Sequence, residues 1–272
     1  MTSPSQFSSD LQLAIAAAVK AGGEIMKVYG KDLGTQYKKD DSPVTIADNR
    51  AQKVILEALK PTNLPVLSEE MQIPSFEIRN IWNRYWLVDP LDGTKEFVNG
   101  GKDFTVNIAL MEHNRPVEGI IFIPFTRELY IGGHSFKQVF KAKLMDFDEG
   151  VVEHINLKPV TPPRRGNIIR IAVSASHLSG ETLAFVESLR TRYGADAVEL
   201  CKRGSSVKFC LLAEGKVDMY PRYSPCMEWD TAAGQAICEA AGAVMKRLDD
   251  RKPLKYNKKD LVNPPFIMEV PF

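Results

Sequence analysis

Cysteine is sparse in this chain. Cys201, Cys210, Cys226 and Cys238 are the four in 272 residues, and none forms a CxxC pair or stands near a histidine cluster. Such spacing in a chain of this length signals neither a disulfide framework nor a zinc site. Cys210 and Cys238 fall among Leu and Ala in helical patterns, where a thiol is simply a small apolar side chain. A surplus of one charge is also missing: 35 Lys+Arg face 34 Asp+Glu, for a formal charge of +1. Neither a general nucleic-acid surface nor a polybasic membrane patch is expected from that balance. Long apolar runs are absent, since stretches such as Leu13–Val19 fall far short of the ~20 residues of a membrane helix. The segment Met1–Asp10 has no basic start and no apolar core of a secretion signal, so a cytoplasmic protein is expected, with peripheral association at an inner membrane left open. There is no G-x4-G-K-[ST] loop, no G-x-S-x-G and no H-E-x-x-H, which leaves triphosphate-loop, serine-hydrolase and zinc-protease readings without footing.

What is present is the make-up of a globular protein: 44% hydrophobic and 25% charged residues, with ample chain to bury a core. Ser8, Ser9 and Asp10 are good caps for an Ala-rich helix that runs toward Tyr29 and ends at Gly30. Helical spacing recurs from Thr45 to Leu59, and Pro61 stops it. Pro65–Ser68 and Tyr85–Val88 read as short strands that end abruptly in Glu69 and Asp89. Phe104–Met111 and Gly119–Phe125 flank His113-Asn114-Arg115-Pro116 as a hairpin, with Leu129–Ile131 and Gln138–Lys143 continuing the sheet. After a proline-rich junction at Lys158–Arg165, strands at Ile169–Ser174, Ala197–Cys201, Val217–Tyr220 and Ala243–Leu248 alternate with helices at Glu181–Arg190, Ser205–Glu214 and Asp230–Ala241. The expected organisation is therefore α/β: an α+β half over residues 1–158 and an alternating α/β half over 159–272.

The chemistry concentrates in Trp86-Leu87-Val88-Asp89-Pro90-Leu91-Asp92-Gly93-Thr94-Lys95-Glu96-Phe97. A strand ending in Asp89, a turn forced by Pro90, and Asp92 before a helix opening at Gly-Thr place two carboxylates where hard cations can bind. The amides of Gly93 and Thr94 at that helix start make an anion site. Alone, Asp92-Gly93-Thr94 is a turn with a capping aspartate. Two companions change its meaning: Leu67-Ser68-Glu69-Glu70, an acidic pair at another strand end, and Met227-Glu228-Trp229-Asp230-Thr231-Ala232-Ala233-Gly234, an aspartate at a helix start.

Together these segments resemble the inositol monophosphatase-like superfamily of metal-dependent, lithium-sensitive phosphatases, from Asp41-Ser42-Pro43-Val44-Thr45-Ile46-Ala47-Asp48 to Asn263-Pro264. Ser42-Pro43-Val44-Thr45, the Lys95-Glu96-Phe97 that follows Gly-Thr, and Phe104-Thr105-Val106-Asn107-Ile108-Ala109-Leu110 are similar to the bacterial CysQ-type branch of 3′(2′),5′-bisphosphate nucleotidases. The resemblance implies a layered αβαβα sandwich with its active site where the two halves meet. It also implies that Glu69 ligates one metal, that Asp89 bridges two, that the Leu91 carbonyl serves the first, and that Asp92 and Asp230 serve the second. Asp48 is expected to accept a hydrogen bond from Thr94, whose hydroxyl then orients the attacking water. Four carboxylates in one pocket would repel unless cations were present. Two or three Mg²⁺, or Mn²⁺ in their place, are the implied cofactors, with Li⁺ inhibitory.

The resemblance further implies that Glu69, Leu91, Asp92, Gly93, Thr94 and Asp230 face the phosphate being cleaved. His177, Ser205, Lys208 and Arg222 are implied to hold the rest of a nucleotide. The expected reaction is removal of the 3′-phosphate of adenosine 3′,5′-bisphosphate, giving AMP and phosphate, by a monomer or homodimer without a nucleic-acid polymer as partner. Three other readings remain: inositol or other sugar phosphate hydrolysis on the same scaffold, an inactive sensor of phosphate ligands, and a phospho-aspartate mechanism. The last needs Asp two positions before Asp92, where this chain has Pro90.

Overall fold

In a computed structural model of the chain, residues 7–31, 36–37, 43–147, 155–161, 166–175 and 178–271 are described. Helix α1 (Ser9–Val28) begins at Ser8, whose hydroxyl accepts the Leu11 amide hydrogen, and its apolar face buries Leu11, Ile15 and Ile25. After the two-residue strands β1 (Gln36–Tyr37) and β2 (Pro43–Val44), helix α2 (Ile46–Leu59) starts with a capping box. In it the Thr45 hydroxyl accepts from Ala47 N at 3.0 Å, while the Asp48 carboxylate accepts from Thr45 N at 2.7 Å. The next elements are β3 (Val66–Ser68), α3 (Phe76–Arg79), β4 (Arg84–Asp92), α4 (Thr94–Val98), β5 (Thr105–Glu112), β6 (Arg115–Ile123), β7 (Glu128–Gly133), β8 (Gln138–Lys143) and β9 (Lys158–Val160). The seven strands β3 to β9 form one sheet in chain order, parallel between β3 and β4 and antiparallel elsewhere. His113 and Asn114, both left-handed (φ 47° and 60°), close the β5–β6 hairpin.

Beyond it come β10 (Ile169–Ser174), α5 (Gly180–Tyr193), β11 (Val198–Arg203), α6 (Val207–Ala213), β12 (Met219–Arg222), β13 (Cys226–Met227), α7 (Ala232–Ala240), β14 (Val244–Arg247), β15 (Val262–Asn263) and β16 (Phe266–Glu269). A second sheet has the order β11-β10-β12-β16-β14. Strand alternation decides the layers. In the first sheet Trp86, Val88, Val106, Ile108 and Leu110 pack toward α1 and α2, whereas Tyr85, Leu87, Ala109 and Met111 pack toward α6, α7 and the second sheet. A third cluster, including Ile171, Val173, Val186 and Ile267, lies between the second sheet and α5. Helix α7 lies close against the first sheet because Gly119 and Gly132 sit beneath it. A Cβ on them would come within 2.2 Å of the Ala233 carbonyl oxygen and 2.5 Å of Ile237 Cα. The result is the expected αβαβα sandwich.

Several local expectations need correction. Strand β4 does not stop at Asp89: it runs through Pro90 to Asp92, with a register shift against β5 between Asp89 and Asp92. Pro90, which has no N–H, is tolerated because the bulge leaves that position out of the ladder. Helix α6 starts at Val207 rather than Ser205, because Ser205 is left-handed at φ 50°. Asp230 ends a 3-10 turn (Glu228–Asp230), two residues before α7, so it is not that helix's cap. Strand β16, paired antiparallel to both β12 and β14, was not anticipated. Residues 162–165 of the proline-rich junction, His177, and Asp41 and Ser42 lie outside the described residues. Among the described residues no helix is long and apolar enough to cross a membrane.

Candidate active site

Because β3 and β4 are parallel with Ser68 aligned to Val88, both strands deliver their terminal acids at the same end. Glu69, Asp89 and Asp230 each offer a carboxylate oxygen, and these atoms all lie within 4.8 Å of one another. Asp230 reaches them from the 3-10 turn, where its carboxylate accepts the Met227 amide hydrogen at 3.0 Å. Asp89 is buried, and its Oδ1 accepts from Leu91 N at 3.1 Å. Its Oδ2 is buried with no hydrogen-bond partner. Burial, followed by the charges of Glu69, Asp92 and Asp230, pushes the Asp89 carboxyl well above the usual carboxylate range. Burial and then Asp92 push Asp230 up to about 7, against the opposing pull of Arg222. An interior carboxylate oxygen without a donor, among like charges and with oxygen ligands only, is the setting that suits a hard divalent cation. The residues present thus fit the cation that the motifs imply.

The turn after Asp92 depends on Gly93, which has φ 89° and whose missing Cβ would lie 2.7 Å from the Asp103 carbonyl oxygen. It sets Thr94 at the start of α4, with Thr94 Oγ1 3.2 Å from Asp48 Oδ1 and 3.1 Å from the Leu91 carbonyl oxygen. Asp48 is therefore shared. Its Oδ2 accepts from the Thr45 amide and hydroxyl at 2.7 and 2.8 Å, leaving Oδ1 toward Thr94. Burial raises the Asp48 carboxyl above its ordinary value, and the Thr45 hydrogen bonds partly oppose that.

Asp92 stands apart from the three-carboxylate group. Its Oδ2 accepts from Ser205 Oγ at 2.7 Å, Ser206 N at 2.7 Å and Ser206 Oγ at 2.8 Å. Asn107 Nδ2 donates to Ser206 Oγ at 2.9 Å. In the sequence Thr105 and Asn107 stand out only as part of a branch motif, and Ser206 is not singled out there. The available signal was Asn107, an amide buried in the otherwise apolar strand Val106–Leu110.

Beside these groups opens a cleft of about 380 Å³. It is lined by Asp92, Gly93, Lys95 and Glu96 from the end of β4 and the start of α4, and by Ser205, Lys208, Tyr220 and Arg222 from the later part of the chain. Lys208 is buried, so it is not a solvated helix lysine. Its Nζ donates to the carbonyls of Ser205 at 2.7 Å and Arg203 at 3.2 Å and lies 5.2 Å from the Tyr220 ring centroid. Burial lowers it to about 8. Arg222 donates to Tyr220 Oη at 3.3 Å and to the Pro225 carbonyl at 3.2 Å. Lys95, at the cleft wall, is exposed. The structure thus gathers Glu69, Asp89 and Asp230 as one carboxylate group with the Asp48–Thr94 contact nearby, while Asp92 is held by Ser205 and Ser206 beside the cleft that Lys208 and Arg222 also line.

Known proteins similar to this chain are numerous. The 3′(2′),5′-bisphosphate nucleotidase CysQ of Salmonella typhimurium is 40% identical over 263 residues, 94% of this chain and 98% of that protein. The protein of the same name from Escherichia coli is 38% identical over 93% of this chain and 96% of its own length. The crystal structure of CysQ from Bacteroides thetaiotaomicron, described as a bacterial member of the inositol monophosphatase family, is similar with a TM-score of 0.84 and 40% identity, covering 97% of this chain and 98% of that one. The profile of the inositol monophosphatase family matches residues 7–269. A carboxylate group at paired strand ends, a Thr–Asp contact behind it and a match along nearly the whole chain lead to one assignment: the chain belongs to the inositol monophosphatase family.

Proposed function

We propose that this chain is a 3′(2′),5′-bisphosphate nucleotidase that hydrolyses the 3′-phosphate of adenosine 3′,5′-bisphosphate, giving AMP and phosphate. The observation that carries the reading is the position of the all-oxygen pocket, with its unpartnered Asp89 oxygen, beside a cleft walled by Lys208 and Arg222. A monophosphate needs only the pocket, whereas a bisphosphate needs cations farther out as well. Glu69, Asp89, the Leu91 carbonyl, Asp92 and Asp230 would hold Mg²⁺, two or three ions, with Mn²⁺ able to substitute. Bound there, such cations would neutralise the phosphoryl oxygens and make water acidic enough to attack at neutral pH.

The chain's own residues supply the rest. The Thr94 hydroxyl hydrogen is drawn inward by Asp48 Oδ1 and the Leu91 carbonyl, which turns the Thr94 oxygen lone pairs outward to receive a hydrogen from the attacking water. Water oriented this way needs no covalent enzyme intermediate, and the chain lacks an aspartate at position 90 that could form one. Ser205, Lys208 and Arg222 bind the nucleotide across the cleft. Residues from both sides of the expected junction, 1–158 and 159–272, line the cleft, which supports one catalytic unit made by the whole chain.

Replacing Thr94 by Ala is expected to lower kcat about 10²-fold while leaving the melting temperature near that of the parent. Unchanged kcat would remove Thr94 from the reaction. The reading as a whole is tested by measuring phosphate release from adenosine 3′,5′-bisphosphate and inositol 1-phosphate, with Mg²⁺ and with chelator. Mg²⁺-dependent turnover with a preference for the nucleotide is expected. A preference for the inositol ester would overturn the substrate assignment, and no turnover of either would favour a sensor.

A further inference from the structure

We propose that Ser206 is a positioning residue that locks Asp92 to the cleft loop, so that cation binding and nucleotide binding reinforce each other. This rests on the reading of Asp92 as a cation ligand. A carboxylate with one oxygen saturated by three close donors cannot rotate. The Ser205 hydroxyl and the Ser206 amide and hydroxyl converge on Asp92 Oδ2 at 2.7 to 2.8 Å, which fixes where Oδ1 points. The Ser206 hydroxyl is itself held. Asn107 Nδ2 donates to it at 2.9 Å, and Thr105 donates to Asn107 Oδ1 at 2.9 Å, so its single hydrogen is turned toward Asp92 Oδ2 at 2.8 Å and the Asp230 carbonyl oxygen. Its oxygen also lies 3.1 Å from the Asp230 carbonyl oxygen, beside a second acid of the pocket.

The same loop forms the cleft wall. Ser205 is held left-handed at φ 50°, a conformation that a residue with a Cβ adopts only under constraint. The constraints are visible: Gly204 N donates to Asp103 Oδ2 at 2.9 Å, Lys208 Nζ ties down the Ser205 carbonyl, and Ser205 Oγ lies 2.8 Å from Thr105 Oγ1. A ligand engaging Ser205 or Lys208 in the cleft therefore acts on the segment that aims Asp92. By reciprocity, a cation on Asp92 acts on that segment too.

The test is titration of the full chain with Mn²⁺, followed by electron paramagnetic resonance, with and without AMP, alongside thermal melting. Ser206→Ala is expected to weaken the weaker Mn²⁺ site about tenfold with an unchanged number of sites. AMP should tighten Mn²⁺ several-fold in the parent and not in the variant. Asn107→Ala, which removes the support behind Ser206, should give the same change if Ser206→Ala melts too low to titrate. Parent-like Mn²⁺ affinity in both variants, or AMP coupling that survives in them, would overturn the inference. Asp92→Asn separates the two levels: if it also leaves Mn²⁺ binding intact, the fault lies in reading Asp92 as a ligand.

Discussion

Asp89→Asn is expected to reduce kcat on the order of 10³-fold or more and, in the same protein, to leave the metal-free fold as stable as before or more so. Asp89 is buried with one oxygen unpartnered, and burial and four neighbouring carboxylates raise its pKa. In the metal-free protein the ionised side chain is therefore a cost, since it is desolvated and repelled by its neighbours. Asparagine has nearly the same shape without the charge. The substitution removes that cost together with the oxygen best placed to hold a cation, so stability and activity should move in opposite directions. Calorimetric Mg²⁺ titration, initial rates and melting in chelator make the comparison. A variant that keeps more than about a tenth of parental kcat would show that Asp89 is not at the centre of the reaction.

Glu228→Ala should have the opposite profile, a large loss of stability reached without touching the carboxylate pocket directly. Glu228 is fully buried. Its Oε2 accepts from Asn257 N at 2.6 Å, and its Oε1 accepts from Lys258 N at 3.1 Å and from Lys258 Nζ at 2.5 Å. Asn257 in turn exchanges hydrogen bonds of 2.6 Å with Arg79, a buried residue from the α3 region. Alanine would leave the interior Asn257 amide and the part-buried Lys258 amide without their acceptor, while Lys258 Nζ keeps the Lys255 carbonyl at 3.0 Å and Asn263 Oδ1 at 3.4 Å. Leaving a buried donor without its acceptor costs about 1–3 kcal/mol for each group. For a chain of this size the melting temperature should fall on the order of 10 °C. Because Glu228 opens the turn that carries Asp230, Mg²⁺ affinity should weaken as well. Glu228→Gln, which retains an acceptor oxygen, is expected to fall between. Urea unfolding of the three proteins gives the order, and equal midpoints for Ala and parent would show that the segment 255–259 is held by its other contacts.

The two variants separate two roles, although Glu228 stands only two residues from Asp230 in the chain. Asp89 carries charge that the folded protein tolerates poorly without a cation. Glu228 carries charge that the fold has already partnered. Lys208 belongs to neither group. It is a buried cation whose hydrogen bonds to carbonyls shape the wall that the nucleotide is proposed to meet.

Much of this protein is written in local pattern. The Ser8 cap, the helical spacing of α2 and the β5–β6 hairpin act within a few residues, so side-chain periodicity, capping and turn chemistry reveal them. Asp89 and Asp92 were legible because strand, turn and glycine are contiguous, and the Asp48–Thr94 contact spanning 46 positions was reachable only through family resemblance. The tertiary structure alone decided how Asp92 is used. Its donors lie 113 and 114 positions away, on a loop whose left-handed serine no propensity suggests. It also decided that Lys208 is buried and that β16 enters the middle of the second sheet. Pairings of that range depend on which strands become neighbours, and that is settled by burying three apolar layers at once.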